Sequence, residues 1–195
     1  SPVLDEGVIV QLRDLGFLSM ELPEEWGGLE LPLVTQSLIW QALSRGDLES
    51  IQSLPGAGEA ASLLRLLPGS MELDQFKKKF MENPHSSISF LDSEKDLWGD
   101  DLKCHRVNDG YILQGKSIPV QRAAFSRLLL VAAKDDHGDT VLFYADQPEH
   151  WQASGENRLG LKAAGIGRIQ FQDYHVSESH LLAKGNVAEE ILRKA

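Results

Sequence analysis

The chain has 195 residues, of which 42% are apolar and 25% charged, values that exclude a mainly disordered polymer and allow a sizeable buried core. Its formal net charge of −10 excludes a broad basic surface, so nucleic acid is not an expected partner and any anionic ligand must be held locally by a few basic groups or backbone amides. Cys104 is the single cysteine, which excludes an intramolecular disulfide and points to a reducing, cytoplasmic setting.

Apolar residues at Val3/Leu4, Val8, Leu12 and Leu15, and again at Val34, Leu38, Ile39 and Leu43, predict amphipathic helices over 3–15 and 33–43. Between them Pro23 blocks a helix running into it, and Gly27-Gly28 supply the conformational freedom of a tight reversal that Trp26 is expected to anchor. Asp47 is placed to cap a further short helix, and Pro55-Gly56 interrupt the chain again. AASLLRLL centres a helix over 58–67, and MELDQFKKKFMENP carries another that ends at Pro84, with Leu73, Phe76 and Phe80 inward and Lys77–Lys79 towards water.

From residue 87 the pattern shifts to short runs rich in branched and aromatic residues: 87–91, 102–107, 111–118, 127–133, 140–145 and 168–176. Asn108-Asp109-Gly110 predicts a hairpin turn. Short strands joined by close turns, with no helices between them, suggest an antiparallel sandwich or barrel. A last helix begins near 187, and its position suggests a continuation into further helices. The expected organisation is therefore α+β: a helical domain over 1–85, a β domain over 86–184, and over 185–195 the start of a truncated carboxy-terminal helix. No apolar run approaches the roughly 20 residues of a membrane span, and no signal-peptide pattern opens the chain.

Three segments carry a resemblance: LGFLSMELPEEWGGLEL with LSRGD, NDGYILQGKSIPVQRAAFSRLLLVAAK, and LGLKAAGIGRIQFQDYHVSESHLL. Together they resemble, in order, the first two-thirds of an acyl-CoA dehydrogenase, the flavoprotein family that desaturates acyl-CoA thioesters. The resemblance implies an amino-terminal helical domain followed by an antiparallel β-sandwich or barrel, FAD as cofactor, an acyl-CoA substrate, and a homo- or hetero-oligomer formed through carboxy-terminal helices. In the family one flavin stretch reads [AS]-x-[TS]-E-P-x-A-G-S-D. Here FLDSEKDLWGDD, 90–101, stands in its place, which implies flavin contacts at Leu91, Asp92 and Ser93 and substrate contacts at Trp98, Gly99 and Asp100. The second family stretch is W-I-[TS]-N. Its counterparts here are Pro119, Val120, Gln121 and Arg122, of which the first three are the implied flavin contacts. Pro119 lacks the stacking face of the family's Trp, whereas Gln121 retains a hydrogen-bond donor.

The family's α-proton base is a Glu from the carboxy-terminal bundle, so no catalytic residue is assigned in this chain, and the chain alone is expected to be inactive. The reading is of a flavoprotein oxidoreductase portion serving fatty acid metabolism. Its alternative is a degenerate, non-catalytic member acting as a structural or regulatory partner subunit. Lesser features have plainer readings. GAGEAA at 56–61 lacks the preceding strand of a dinucleotide site, the six His residues form no metal-ligand spacing, and the Arg-Gly-Asp of LSRGD is a helix end with a capping acid. Apolar surface exposed where the carboxy-terminal helices would dock is expected to promote self-association, and the terminal segment to be poorly anchored.

Overall fold

A computed structural model describes residues 5–82, 86–93, 102–156 and 164–195. The helical elements are α1 (Glu6–Asp14), α2 (Leu33–Leu43), α3 (Leu48–Gln52), α4 (Ala60–Leu64), α5 (Met71–Met81) and α6 (Asn186–Lys194). The strands are β1 (Ile88–Asp92), β2 (Lys103–Val107), β3 (Gly110–Lys116), β4 (Leu128–Lys134), β5 (Thr140–Ala145), β6 (Trp151–Gly155), β7 (Gly167–Ser177) and β8 (Leu181–Lys184). None of the described helices is long and apolar enough to cross a membrane.

Side-chain capping sets several helix starts. The Asp5 carboxylate accepts from the Gly7 amide at 2.8 Å, Asp47 from Glu49 at 3.0 Å, and the Ser70 hydroxyl from Leu73 at 3.1 Å. The connector between α1 and α2 behaves as its residues suggest. Gly27 takes φ +71°, and Gly28 lies so close to the Leu22 carbonyl that a Cβ would meet it at 2.1 Å. Trp26 is 2% exposed and packs edge-on against Phe76 at 5.7 Å.

The strands form two four-stranded sheets, ordered β1-β4-β5-β8 and β2-β3-β7-β6. The molecule is layered, with helices on the first sheet and the first sheet on the second. One core holds Trp26, Ala60, Leu64 and Phe76 from the helical side with Leu128, Leu130 and Tyr144 from the first sheet. The other holds Leu129, Val131 and Phe143 against Tyr111, Leu113 and Phe171 of the second sheet. With both faces covered, the first sheet needs no polar alternation, and LLLVAA in β4 and TVLFYA in β5 are buried throughout. β7 keeps exposed positions between buried ones, and β2 buries only Cys104, because the second sheet's outer face meets water.

Several expectations are revised. β1 and β4 pair in parallel, Ile88 opposite Leu128, because the intervening β2–β3 hairpin belongs to the other sheet and the chain returns in the same direction. Strands β6 and β8 stand where no run was marked, since WQASG is nearly all exposed and LLAK is only four residues long. The stripes of α1 and α2 remain largely at the surface, with Leu15, Val34 and Leu38 exposed by 67%, 73% and 61%. Nor is α6 poorly anchored: Ala188 and Ile191 are buried in the helical-side core, and Thr140 of β5 donates to Glu189 at 3.2 Å. Lys79 is not simply solvated, because it bonds the buried Asp146 carboxylate. The hairpin at Asn108-Asp109 forms with Val107 opposite Gly110, where a Cβ would sit 2.0 Å from the Val176 carbonyl.

Candidate functional site

A cleft of about 430 Å³ opens where β1, the loop following β3 and the α3–α4 connection meet. β1 contributes Ser89, Phe90 and Asp92, while the loop contributes Pro119, Val120, Gln121 and Arg122. Strand alternation explains Phe90 and Asp92 but not Ser89: Leu91 turns into the inter-sheet core, so its neighbours at 90 and 92 face the other way.

The loop is held by bonds to both sheets. Val120 and Gly167 exchange backbone bonds of 2.8 and 3.1 Å, and Gly167 sits so close to Ser154 that a Cβ would approach its carbonyl at 2.2 Å. The Ser89 hydroxyl donates to the Gln121 carbonyl at 2.8 Å and lies 2.6 Å from the Ser126 hydroxyl. Ser117 exchanges bonds with Ile169, its amide donating to the carbonyl at 2.8 Å and its hydroxyl accepting from the amide at 3.0 Å. The result is a loop fixed to β1 on one side and β7 on the other, which presents Pro119 and Val120 half-buried and Gln121 exposed.

A second chamber of about 700 Å³ adjoins this cleft and shares Gly58, Glu59, Gln121 and Arg122 with it. Its walls combine Trp40 of α2, Ile51 of α3, Leu66 beyond α4, and the charged groups Glu21, Arg65 and Arg122. Glu21 Oε1 and Arg122 Nη1 both lie 3.4 Å from the point where a Cβ on Gly56 would be, so Gly56 leaves room for both. Burial raises the Glu21 carboxyl above its ordinary value, against the opposing influence of nearby backbone amides and of Arg122 and Arg65. Burial likewise lowers the Arg122 guanidinium to about 10, with Glu21 acting in the other direction. Elsewhere, the Cys104 thiol is pushed up to about 12, chiefly by burial and then by Asp135 and Asp136, which makes it a packing residue rather than a nucleophile.

Of the residues implied by the sequence, Asp92, Pro119, Val120 and Gln121 come together at the cleft. Leu91 and Ser93 do not line it: Leu91 is core, and the Ser93 amide is bonded to the Ala132 carbonyl at 3.0 Å. Trp98, Gly99 and Asp100 lie outside the described residues. Glu21 and Arg65 were not singled out in the sequence, nor was Arg122 beyond its place in the loop. The available signal was Arg65 inside the apolar run AASLLRLL, where a solvated cation is out of place.

Comparison with known proteins shows what this chain is similar to. Residues 3–73 match the model described as acyl-CoA dehydrogenase, N-terminal domain. A probable acyl-CoA dehydrogenase of Bacillus subtilis is 25% identical over 189 residues, covering 89% of this chain and 31% of that protein. Benzylmalonyl-CoA dehydrogenase of Aromatoleum aromaticum is 24% identical over 188 residues, covering 89% of this chain and 48% of that protein. The crystal structure of an acyl-CoA dehydrogenase complexed with FAD from Bacillus anthracis superposes with a TM-score of 0.72 at 22% identity, over 96% of this chain and 34% of that one. The chain thus spans less than half the length of the curated relatives it matches. Residues 3–73 thus match the acyl-CoA dehydrogenase N-terminal domain model, and the helical layer with its two sheets is similar in fold to a solved acyl-CoA dehydrogenase.

Proposed function

We propose that this chain supplies the flavin-side part of an FAD-dependent acyl-CoA dehydrogenase type oxidoreductase, in which the complete protein desaturates an acyl-CoA thioester between its α and β carbons. The observation that carries this reading is the meeting of 88–92 and 118–122, distant in sequence, at one cleft closed by Gly58 and Glu59.

The residues present fit a flavin ring in kind. Ile118, Val120, Ile166 and Phe90 offer apolar surface, and the Gln121 side-chain amide and the Arg122 guanidinium offer donors at its edge. Bound there, FAD would supply the hydride acceptor. The chain's own part is to hold the ring on Val120 and Pro119, donate to it from Gln121, and exclude water through the half-buried Phe90 and Ile166. Rigid support for this comes from the backbone pair Val120–Gly167 and the Ser89 bond to Gln121. The α-proton base is assigned to no residue of this chain. An oligomer belongs to the same reading, with the exposed Leu33, Val34 and Leu38 face of α2 as its contact.

The test is absorbance of the purified chain after incubation with FAD. Flavin bands that co-elute with the protein, disappear from it on denaturation and weaken in Gln121→Ala are expected. A colourless, well-folded protein that takes up no FAD would reject the reading in favour of a non-catalytic partner subunit.

A further inference from the structure

The second sheet carries a cup of about 580 Å³ that shares no residue with the flavin cleft or the chamber beside it. Its size falls within the roughly 300–1,000 Å³ of small-molecule sites. The cup exists because β6 is short. It pairs with β7 only as far as Trp151 opposite Phe171, whereas β7 runs on to Ser177 without β6 beside it. The turns Pro148–His150 and Glu178–His180 contribute His150 and His180 to its walls. His150 donates to the Gln147 side-chain carbonyl at 2.8 Å and meets the Tyr174 ring edge-on at 6.4 Å, and His180 packs on Tyr144 at 4.5 Å. A β-bulge gathers further side chains there. Leu113 faces Tyr174 and Gly115 faces Phe171, so Gln172 and Asp173 together oppose Gln114. The extra residue reverses the parity of the strand: Ile169 and Phe171 before it, and Tyr174 and Val176 after it, are all buried. In consequence Gln170, Gln172, Asp173, His175 and Ser177 all line the cup. Asp173 is held at φ +51°, in the left-handed region that is uncommon outside glycine, and bulges of this kind re-aim side chains beside binding sites.

The lining narrows the class of ligand. No Lys or Arg is part of it, which disfavours an anion. No group of three or more His, Cys, Asp or Glu among the described residues is arranged to hold a metal ion. What dominates instead is groups that donate and accept together: the side-chain amides of Gln152, Gln170 and Gln172, and the Ser177 hydroxyl. Nε2 of His175 donates to the Asp109 carboxylate at 3.1 Å, which makes Nδ1 an acceptor. A sugar hydroxyl has the same double character, and two adjacent hydroxyls span the paired atoms of one amide or carboxylate. We propose that this cup binds an uncharged polyhydroxylated ring of the pyranose class, its hydroxyls bonded by Gln152, Gln170 and Gln172 with Asp173 taking an adjacent pair, and its carbon face towards Trp151 and His150. Glu149 and Asp173 accept from hydroxyls and repel a phosphorylated sugar. The proposal rests on the cup and its bulge, and it requires no flavin in the cleft.

Saturation-transfer NMR on the full chain tests it, with the methyl pyranosides of glucose, galactose and mannose as probes. At least one is expected to bind with a millimolar dissociation constant. Gln170→Ala and Gln172→Ala are each expected to weaken that binding about tenfold, the effect of losing one hydrogen-bonding group. Gln172 is exposed, so the melting curve of Gln172→Ala should match that of the unaltered chain, and this variant decides if Gln170→Ala is destabilised. Four results would each overturn the proposal: no pyranoside bound at millimolar concentration, binding unchanged in Gln172→Ala, tighter binding of glucose 6-phosphate or glucosamine than of every neutral sugar, or displacement of the sugar by FAD. A colourless protein that binds a pyranoside separates this site from the flavin reading, and a yellow protein that binds none separates them in the other direction.

Discussion

The β1-β4-β5-β8 sheet and helix α2 are built from similarly apolar sequence, yet the molecule treats them in opposite ways. β4 and β5 are buried along almost their whole length, packed by helices on one face and by the second sheet on the other. In α2, LVTQSLIWQAL, the one buried residue is Gln36, whose side-chain amide donates to the Leu31 carbonyl at 2.6 Å. Apolar content therefore measures a segment's readiness to be covered. What covers it is a matter of the neighbours that the fold brings up.

The contrast is sharpest in cavity-making substitutions. Phe143 is fully buried between the sheets and stacks with Tyr111, so Phe143→Ala is expected to cost about 3–5 kcal/mol in denaturant unfolding. Leu38→Ala on α2 is expected to stay within about 0.5 kcal/mol of the unaltered chain, because Leu38 is 61% exposed. A large loss at Leu38 would mean that its face is covered in solution.

Glu21 provides an intermediate case, a charged group placed under the helical layer. Its carboxyl is raised above 4.5 in the folded chain, so between 4.5 and the raised value the folded state holds a proton that the unfolded state has released. The stability contributed by the group is therefore complete below 4.5 and is lost as pH rises through the folded value. Thermal melts of the unaltered chain and of Glu21→Gln should thus diverge with pH, the difference moving in favour of the unaltered chain as pH falls towards 4.5. Parallel melting curves across that window would show that Glu21 is solvated.

The smallest effect on stability, and the clearest on association, belongs to Leu38→Glu. Sedimentation is expected to show less self-association than in the unaltered chain, with the melting temperature nearly unchanged. An unaltered chain that stays monomeric at high concentration would remove α2 as an oligomer contact.

Much of the fold was legible because its signals are local. Asp47 caps α3 as its position suggested, Asn108-Asp109 makes the hairpin turn, and Trp26 anchors the Gly27-Gly28 reversal by packing on Phe76 and Phe80. The parallel pairing of β1 with β4 was not legible, since register and direction depend on where the β2–β3 hairpin docks. The site was legible only in outline. Motif order marked 91–93 and 119–121, but pleating sends Leu91 into the core and leaves Asp92 at the cleft. The buried Glu21, Arg65 and Arg122 stand far apart in the chain, and no spacing rule connects residues brought together by packing a helical layer on a sheet.

Residue order alone was enough to establish the helical and β halves, their turns and their likeness to acyl-CoA dehydrogenases, because helix periods, caps and turn residues act over a few positions. Tertiary structure alone decided that β4 and β5 form the middle layer, that α2 keeps its apolar face at the surface, and that two arginines and a glutamate share one chamber. Burial and electrostatic environment arise from contacts between distant segments, and a local pattern carries no record of which segments those will be.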